Sequence, residues 1–152
     1  MSLSDPFADI DCFGLLYDNR SMSELDPDVI YAGACLCGAV RIKAIGKPDS
    51  VVVCHCSSCR RHTGAPCAIF TDYPVKSVIF TAEKPAKYSS SPGVTRGFCK
   101  KCGSTISYQG QNLPNMIHLH IGVFDDPSSF QPEADEQMDE RMPWLSVSLK
   151  RS

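Results

Sequence analysis

The chain has 152 residues, 43% hydrophobic and 21% charged, with a formal charge of -2. That is the composition of a globular protein with an ordinary core, and the slightly acidic balance argues against a general role in binding nucleic acid or another polyanion. No apolar run reaches the roughly twenty residues of a membrane helix, and the first thirty residues hold neither a basic region nor an apolar stretch for export, so a cytoplasmic protein with reduced thiols and no membrane partner is expected.

Residues 1–28 carry Asp, Ser, Pro and Asn with few periodic apolar positions and close on the turn signal Asp26-Pro27-Asp28. They read as an N-terminal extension, partly irregular, and 29–152 as one domain. Short strands rich in Val, Ile and Phe are expected at 29–33, 39–45, 51–54, 67–71, 76–81, 104–109, 116–124 and 144–149. Gly46-Lys47-Pro48-Asp49, the 81–85 stretch, Ser91-Pro92-Gly93 and Asp125-Asp126-Pro127 are the breaks between them. No 3.6-residue apolar period holds for a dozen residues, so the fold class is mainly β, built of short antiparallel strands without long helices.

Seven of the nine cysteines fall in three clusters: Cys35 and Cys37 before Gly38; Cys54, Cys56 and Cys59; and Cys99 and Cys102 before Gly103. The two-residue gap of Cys99 and Cys102 lets a tight turn aim both sulfurs at one metal, and the glycine after it can take the positive φ such a turn requires. Cys35 and Cys37, with a glycine in the equivalent place, are the natural other half of a four-cysteine site. Cys54, Cys56 and Cys59 reach one ion only if the backbone curls around it, which puts a metal at a strand end, near the surface. His55 alternates with two of these ligands and should point away. Four plus three suggests two Zn²⁺, a closed structural site and an open one, with a single cluster shared by all seven sulfurs as the alternative. With seven thiolates and two Zn²⁺ bound, the charge would move from -2 to -5.

The segments 33–41 (Gly-Ala-Cys-Leu-Cys-Gly-Ala-Val-Arg), 54–64 (Cys-His-Cys-Ser-Ser-Cys-Arg-Arg-His-Thr-Gly) and 96–104 (Arg-Gly-Phe-Cys-Lys-Lys-Cys-Gly-Ser) resemble the glutathione-dependent formaldehyde-activating enzyme family, which also includes centromere protein V. The resemblance runs from about residue 32 to Trp144. It implies a β-tent zinc fold, a structural zinc on Cys35, Cys37, Cys99 and Cys102, and a catalytic zinc on Cys54, Cys56 and Cys59. The family's reaction joins glutathione and formaldehyde into S-hydroxymethylglutathione, a carbon-sulfur lyase reaction run in reverse. A zinc on three thiolates suits a soft sulfur ligand, so a small thiol, glutathione first, is the implied partner. Arg60, Arg61 and Arg96 flank the clusters where they could receive its carboxylates.

Other residues carry weaker signals. His118 and His120 share a strand face and read as the polar side of an ordinary strand, with a metal or pocket role as the alternative. Cys67 reads as a small buried hydrophobe, Cys12 as a bystander thiol, and Trp144 as core or pocket wall. Besides the enzyme, a zinc-stabilised protein-interaction module without catalysis stays open. A methionine sulfoxide reductase ranks last, because no cysteine follows Cys102 to serve as a late-strand nucleophile.

Overall fold

The computed structural model describes residues 29–149; the N-terminal extension with Cys12 and residues 150–152 lie outside the described residues. Strands β1 (Ile30–Ala34) and β2 (Arg41–Ile45) form a hairpin that pairs with β5 (Val78–Phe80) in a three-stranded antiparallel sheet. A seven-stranded sheet takes the order β10 (Ala134–Glu136), β3 (Ser50–Cys54), β4 (Ala68–Pro74), β9 (Met116–His120), β8 (Thr105–Gly110), β7 (Val94–Phe98) and β6 (Ala86–Ser91). Its pairs are antiparallel except β10 with β3. The single α-helix among the described residues is α1 (Ser57–Thr63), closed by Gly64 in the left-handed region at φ 66°. No helix among them is long and apolar enough to cross a membrane.

Both faces of the large sheet are covered, and strand alternation assigns side chains to one or the other. Tyr73, Ile117 and Leu119 face the small sheet and pack with Val40, Ile42, Ala44, Val123, Phe124 and Phe130. Val52, Cys54, Phe70 and Tyr108 face the opposite way and pack with Cys56 and Cys59. On β8, Ile106 and Tyr108 belong to different cores although two residues apart. The cause is an irregularity against β7, where Gly97 pairs with Ser107 and Phe98 with Thr105, so the pleat slips by one residue and Tyr108 is re-aimed. Gly33 of β1 bridges Phe124, in the segment that follows β9, and a Cβ on Gly33 would lie 2.4 Å from the Val123 carbonyl oxygen.

The mainly β reading holds, with three kinds of difference. Strands β6, β7 and β10 were not expected: β6 is Ala-Lys-Tyr-Ser-Ser-Ser and β10 is Ala-Asp-Glu, compositions that carry no β signal by themselves and pair because their neighbours do. The break at 91–93 was legible while the strands around it were not. The expected strand 116–124 stops at His120, where a 3-10 turn (Ile121–Val123) follows, and 144–149 forms no strand.

Candidate metal centres and the residues around them

The first sulfur group joins the two sheets. Cys35 and Cys37 sit in the turn between β1 and β2, and Cys99 and Cys102 in the turn between β7 and β8. Gly38 and Gly103 take φ 75° and 76°, the conformation expected of the glycine that follows each pair, and let the amides of Gly38 and Gly103 close onto the carbonyls of Cys35 and Cys99 at 2.9 and 2.8 Å. The four sulfurs lie within 4.8 Å of one another, with Cys35 to Cys37 at 3.5 Å and Cys37 to Cys99 at 3.8 Å. Tetrahedral zinc-thiolate bonds of about 2.3 Å place sulfurs about 3.8 Å apart, so the donor set fits such an ion. The Val40 amide donates to Cys35 Sγ at 3.2 Å, and the hydroxyl and amide of Ser104 hold the Cys102 thiol down to about 5. The Ser104 hydroxyl also accepts the Leu36 amide at 3.0 Å, tying one turn to the other.

The second group lies at the end of β3 and the start of α1. Cys54 closes the strand, Cys56 is the N-cap of the helix, and Cys59 faces inward from its first turn. Cys56 Sγ accepts the Cys59 amide at 3.3 Å, so the chain curls back and the three sulfurs come within 4.8 Å of one another. This group does not lie near the surface. Cys54, Cys56 and Cys59 are 0–1% exposed, whereas Cys37 of the first group is exposed and Cys102 is half-buried. The reason is the second covered face of the large sheet, together with the segment 134–140 that closes over the cysteine loop. There the His55 amide donates to the Glu136 carbonyl at 3.1 Å, and the Ser57 amide to Glu140 Oε2 at 2.7 Å. His55 stands in neither sulfur group; its Nε2 meets Asp135 at 2.8 Å.

The arginines separate. Arg96 is 4% exposed and donates from Nη1 to Cys59 Sγ at 3.8 Å and from Nε to Ser90 Oγ at 3.1 Å. Arg60 bonds the carbonyls of His55 and Glu140 and pairs with the Glu140 carboxylate at 3.8 Å, which buttresses the cysteine loop from behind. Arg61 is exposed on α1.

Arg96 ends a transverse row that sequence reasoning missed. Ser50, Asp72, His118, Tyr108 and Arg96 are successive partners in register across β3, β4, β9, β8 and β7. The Ser50 hydroxyl donates to Asp72 Oδ2 at 2.5 Å, Asp72 Oδ1 meets His118 Nδ1 at 2.5 Å, the His118 and Tyr108 rings lie 5.4 Å apart, and the Arg96 guanidinium lies 5.2 Å from the Tyr108 ring centre. His118 and His120 are therefore not the solvated face of an ordinary strand: they are 0% and 6% exposed. His120 stacks on Phe70 with ring centres 4.5 Å apart, and His62 of α1 lies 6.0 Å from it. Burial, then His62, then Arg96 push His120 down to about 3, and burial followed by Arg96 lowers His62. Burial, then Asp72 and Cys56, raise Glu136 to about 7. The i, i+2 spacing of the two histidines was the available signal; that the face is covered was not. Cys67 is only half-buried, and Trp144 is 70% exposed, hence not core.

A family model described as the glutathione-dependent formaldehyde-activating enzyme matches residues 30–140. An uncharacterized lyase of Schizosaccharomyces pombe is 31% identical over 122 residues, 80% of this chain and 88% of that protein. A Halomonas elongata protein assigned by name to the glutathione-dependent formaldehyde-activating enzymes is 29% identical over 132 residues, covering 80% and 83%. The crystal structure of a Rhodobacter sphaeroides protein superposes with a TM-score of 0.54 at 23% identity, over 68% of this chain and 98% of that one, which speaks to the fold alone.

Proposed function

The chain belongs to the glutathione-dependent formaldehyde-activating enzyme family, and from that premise we propose that it is a zinc-dependent carbon-sulfur lyase acting on the adduct of a small thiol, glutathione, with formaldehyde. The observation that carries this reading is the three-sulfur group beside Arg96, distinct from the four-sulfur group that joins the sheets. Four cysteines satisfy a tetrahedral ion; three leave a position for a further ligand. When bound, zinc on Cys54, Cys56 and Cys59 would supply a soft position where a thiol is held as its thiolate.

The chain's own residues do the rest. Cys54, Cys56 and Cys59 as thiolates on one divalent ion would carry a net negative charge, and a substrate thiolate would add to it. Arg96, desolvated and pointed at Cys59, offsets that charge where it develops. The Cys56 cap and the helix amides hold the sulfur geometry, and Arg60 fixes the loop through His55 and Glu140. Arg61, one residue further on, is exposed on α1, on the solvent side from which a substrate carboxylate would arrive.

The test is exchange spectroscopy at equilibrium on glutathione and formaldehyde, with protein carrying two zinc per chain. The uncatalysed addition is fast, so exchange broadening measures acceleration better than initial rates do. Acceleration by wild type that is lost in Cys56→Ser supports the reading; equal exchange in both overturns it. The complete burial of Cys54, Cys56 and Cys59 favours a second reading, in which both ions are structural and the protein is an interaction module. Equal exchange, with a folded two-zinc protein that binds no thiol, would select it.

A further inference from the structure

His62 and His120 are not accounted for by the chemistry above. Each has its Nε2 buried with no hydrogen-bond partner among the described residues, and His120 is 6% exposed as a whole. Burying a polar nitrogen without a partner is costly, so two of them side by side call for a ligand. Their ring centres are 6.0 Å apart, too far for a direct imidazole-imidazole bond and suited to one atom between them at ordinary hydrogen-bond lengths of about 2.8–3.0 Å.

Their position ties them to the three-sulfur group. His62 lies one turn beyond Cys59 on α1, and the His120 ring stacks on Phe70, which packs in the same core as Cys54, Cys56 and Cys59. Arg96, in contact with Cys59, lies close enough that its charge is felt at both rings.

The chemistry of the surroundings selects the ligand. A cation is disfavoured by the Arg96 charge, and an anion by the neighbouring sulfurs if they are thiolates. Each neutral imidazole carries one N–H and one bare nitrogen, so with the two rings in opposite tautomers their Nε2 atoms offer one donor and one acceptor. A neutral group that both donates and accepts, as a hydroxyl does, satisfies the two nitrogens, and the hydroxymethyl oxygen is the hydroxyl that the adduct has and the free thiol lacks.

We propose that His62 and His120 are a hydroxyl-binding pair that recognises the hydroxymethyl oxygen of the thiol adduct, and so distinguishes adduct from free thiol. This inference rests on the lyase reading. It assigns the pair to substrate recognition, with no covalent step of its own.

The experiment uses the full chain loaded with two zinc and three probes: glutathione, S-methylglutathione, and glutathione with formaldehyde. Side-chain nitrogen resonances of His62 and His120 are followed alongside the exchange rate, in wild type, His62→Leu, His120→Leu and His120→Gln. The inference expects both imidazoles to shift with the formaldehyde mixture and not with the other two probes. It expects each Leu variant to slow exchange at least about 10-fold while zinc content and glutathione affinity stay at wild-type values, and His120→Gln, which keeps a polar group near the Nε2 position, to recover part of the rate. Equal imidazole shifts with glutathione alone, or wild-type exchange in both Leu variants, overturns the pair and leaves the lyase reading standing. A wild type that neither binds thiol nor accelerates exchange overturns both. If His120→Leu does not fold, His62→Leu and His120→Gln carry the comparison, and wild-type exchange in His62→Leu alone is then sufficient to reject the pair.

Discussion

Arg96 and Cys59 are joined across 37 residues of sequence by a buried contact from Nη1 to Sγ at 3.8 Å. Arg96 is also bonded to Ser90 and set against Tyr108, so its charge is fixed in place before any ligand arrives. A charge-assisted hydrogen bond is worth about 1.5–3 kcal/mol, or between roughly 10- and 100-fold in binding. Arg96→Met is therefore expected to weaken thiol binding to the two-zinc protein by that factor, with Arg96→Lys intermediate. Calorimetric titration with glutathione checks it; a wild-type Kd in Arg96→Met would remove Arg96 from the site.

In protein loaded with two zinc, the ions should leave in the order set by access. A chelator must touch the metal, and the four-sulfur group offers it exposed Cys37 and half-buried Cys102, while Cys54, Cys56 and Cys59 open only with the surrounding structure. After partial chelation, alkylation and mass spectrometry should find Cys37 and Cys102 labelled before the middle cluster. The reverse order would mean that the missing fourth ligand outweighs burial.

Mutation should separate the groups differently. Cys99→Ser loosens the sulfur group that spans both sheets, so a loss of several kcal/mol and of soluble protein is expected. Cys56→Ser acts at one sheet end and one helix cap, where loss of the cap alone costs about 1 kcal/mol. Circular dichroism melts of the zinc-loaded proteins should show Cys99→Ser as the worse by a wide margin.

Acid should find His120. Its folded pKa of about 3 lies below the ordinary value near 6.5, so below pH 6.5 the unfolded chain takes up a proton that the native chain refuses. Stability is unaffected by this group above pH 6.5 and falls as pH drops through the window from 6.5 to about 3. At pH 5 the loss amounts to about 2 kcal/mol. His120→Gln should flatten this part of the stability curve, as read by denaturant melts at pH 7 and pH 5 and matched zinc content; an unchanged slope would mean that His120 is protonated in the native protein.

Gly33 should tolerate no side chain. A Cβ there would lie 2.4 Å from the Val123 carbonyl oxygen and 3.0 Å from the Phe124 Cα, and both are backbone atoms that no side-chain rotation can move away. Gly33→Ala is expected to cost about 1–3 kcal/mol by overpacking, measured as a lower urea midpoint.

The cysteine spacing and the glycines behind it made both sulfur groups legible, because a ligand pair within a few residues is a local property of the chain. The mainly β class followed from strands such as Ser50–Cys54 whose apolar content is their own. What could not be read was set by non-local geometry. The row from Ser50 to Arg96 exists only once five strands are in register, and the bulge that turns Tyr108 to that face leaves no mark in composition. The burial of His118 and His120 and the depth of the middle cluster depend on a second covered face. The polar strand β10 contributes to it although its sequence resembles a loop.

The parallel pairing of β10 with β3 also has a consequence in time. The cover over Cys54, Cys56 and Cys59 is supplied by Glu136 and Glu140, the latter made 80 residues after Arg60, its partner. At about 5–20 residues per second, a growing chain leaves those three thiols without that cover for roughly 4–16 s after they are made. The four-sulfur group has all its ligands once Cys102 is made, so it is complete before that cover exists. During synthesis the middle cluster thus passes through a stage open to solvent, to oxidants and to metal alike, which the finished fold closes.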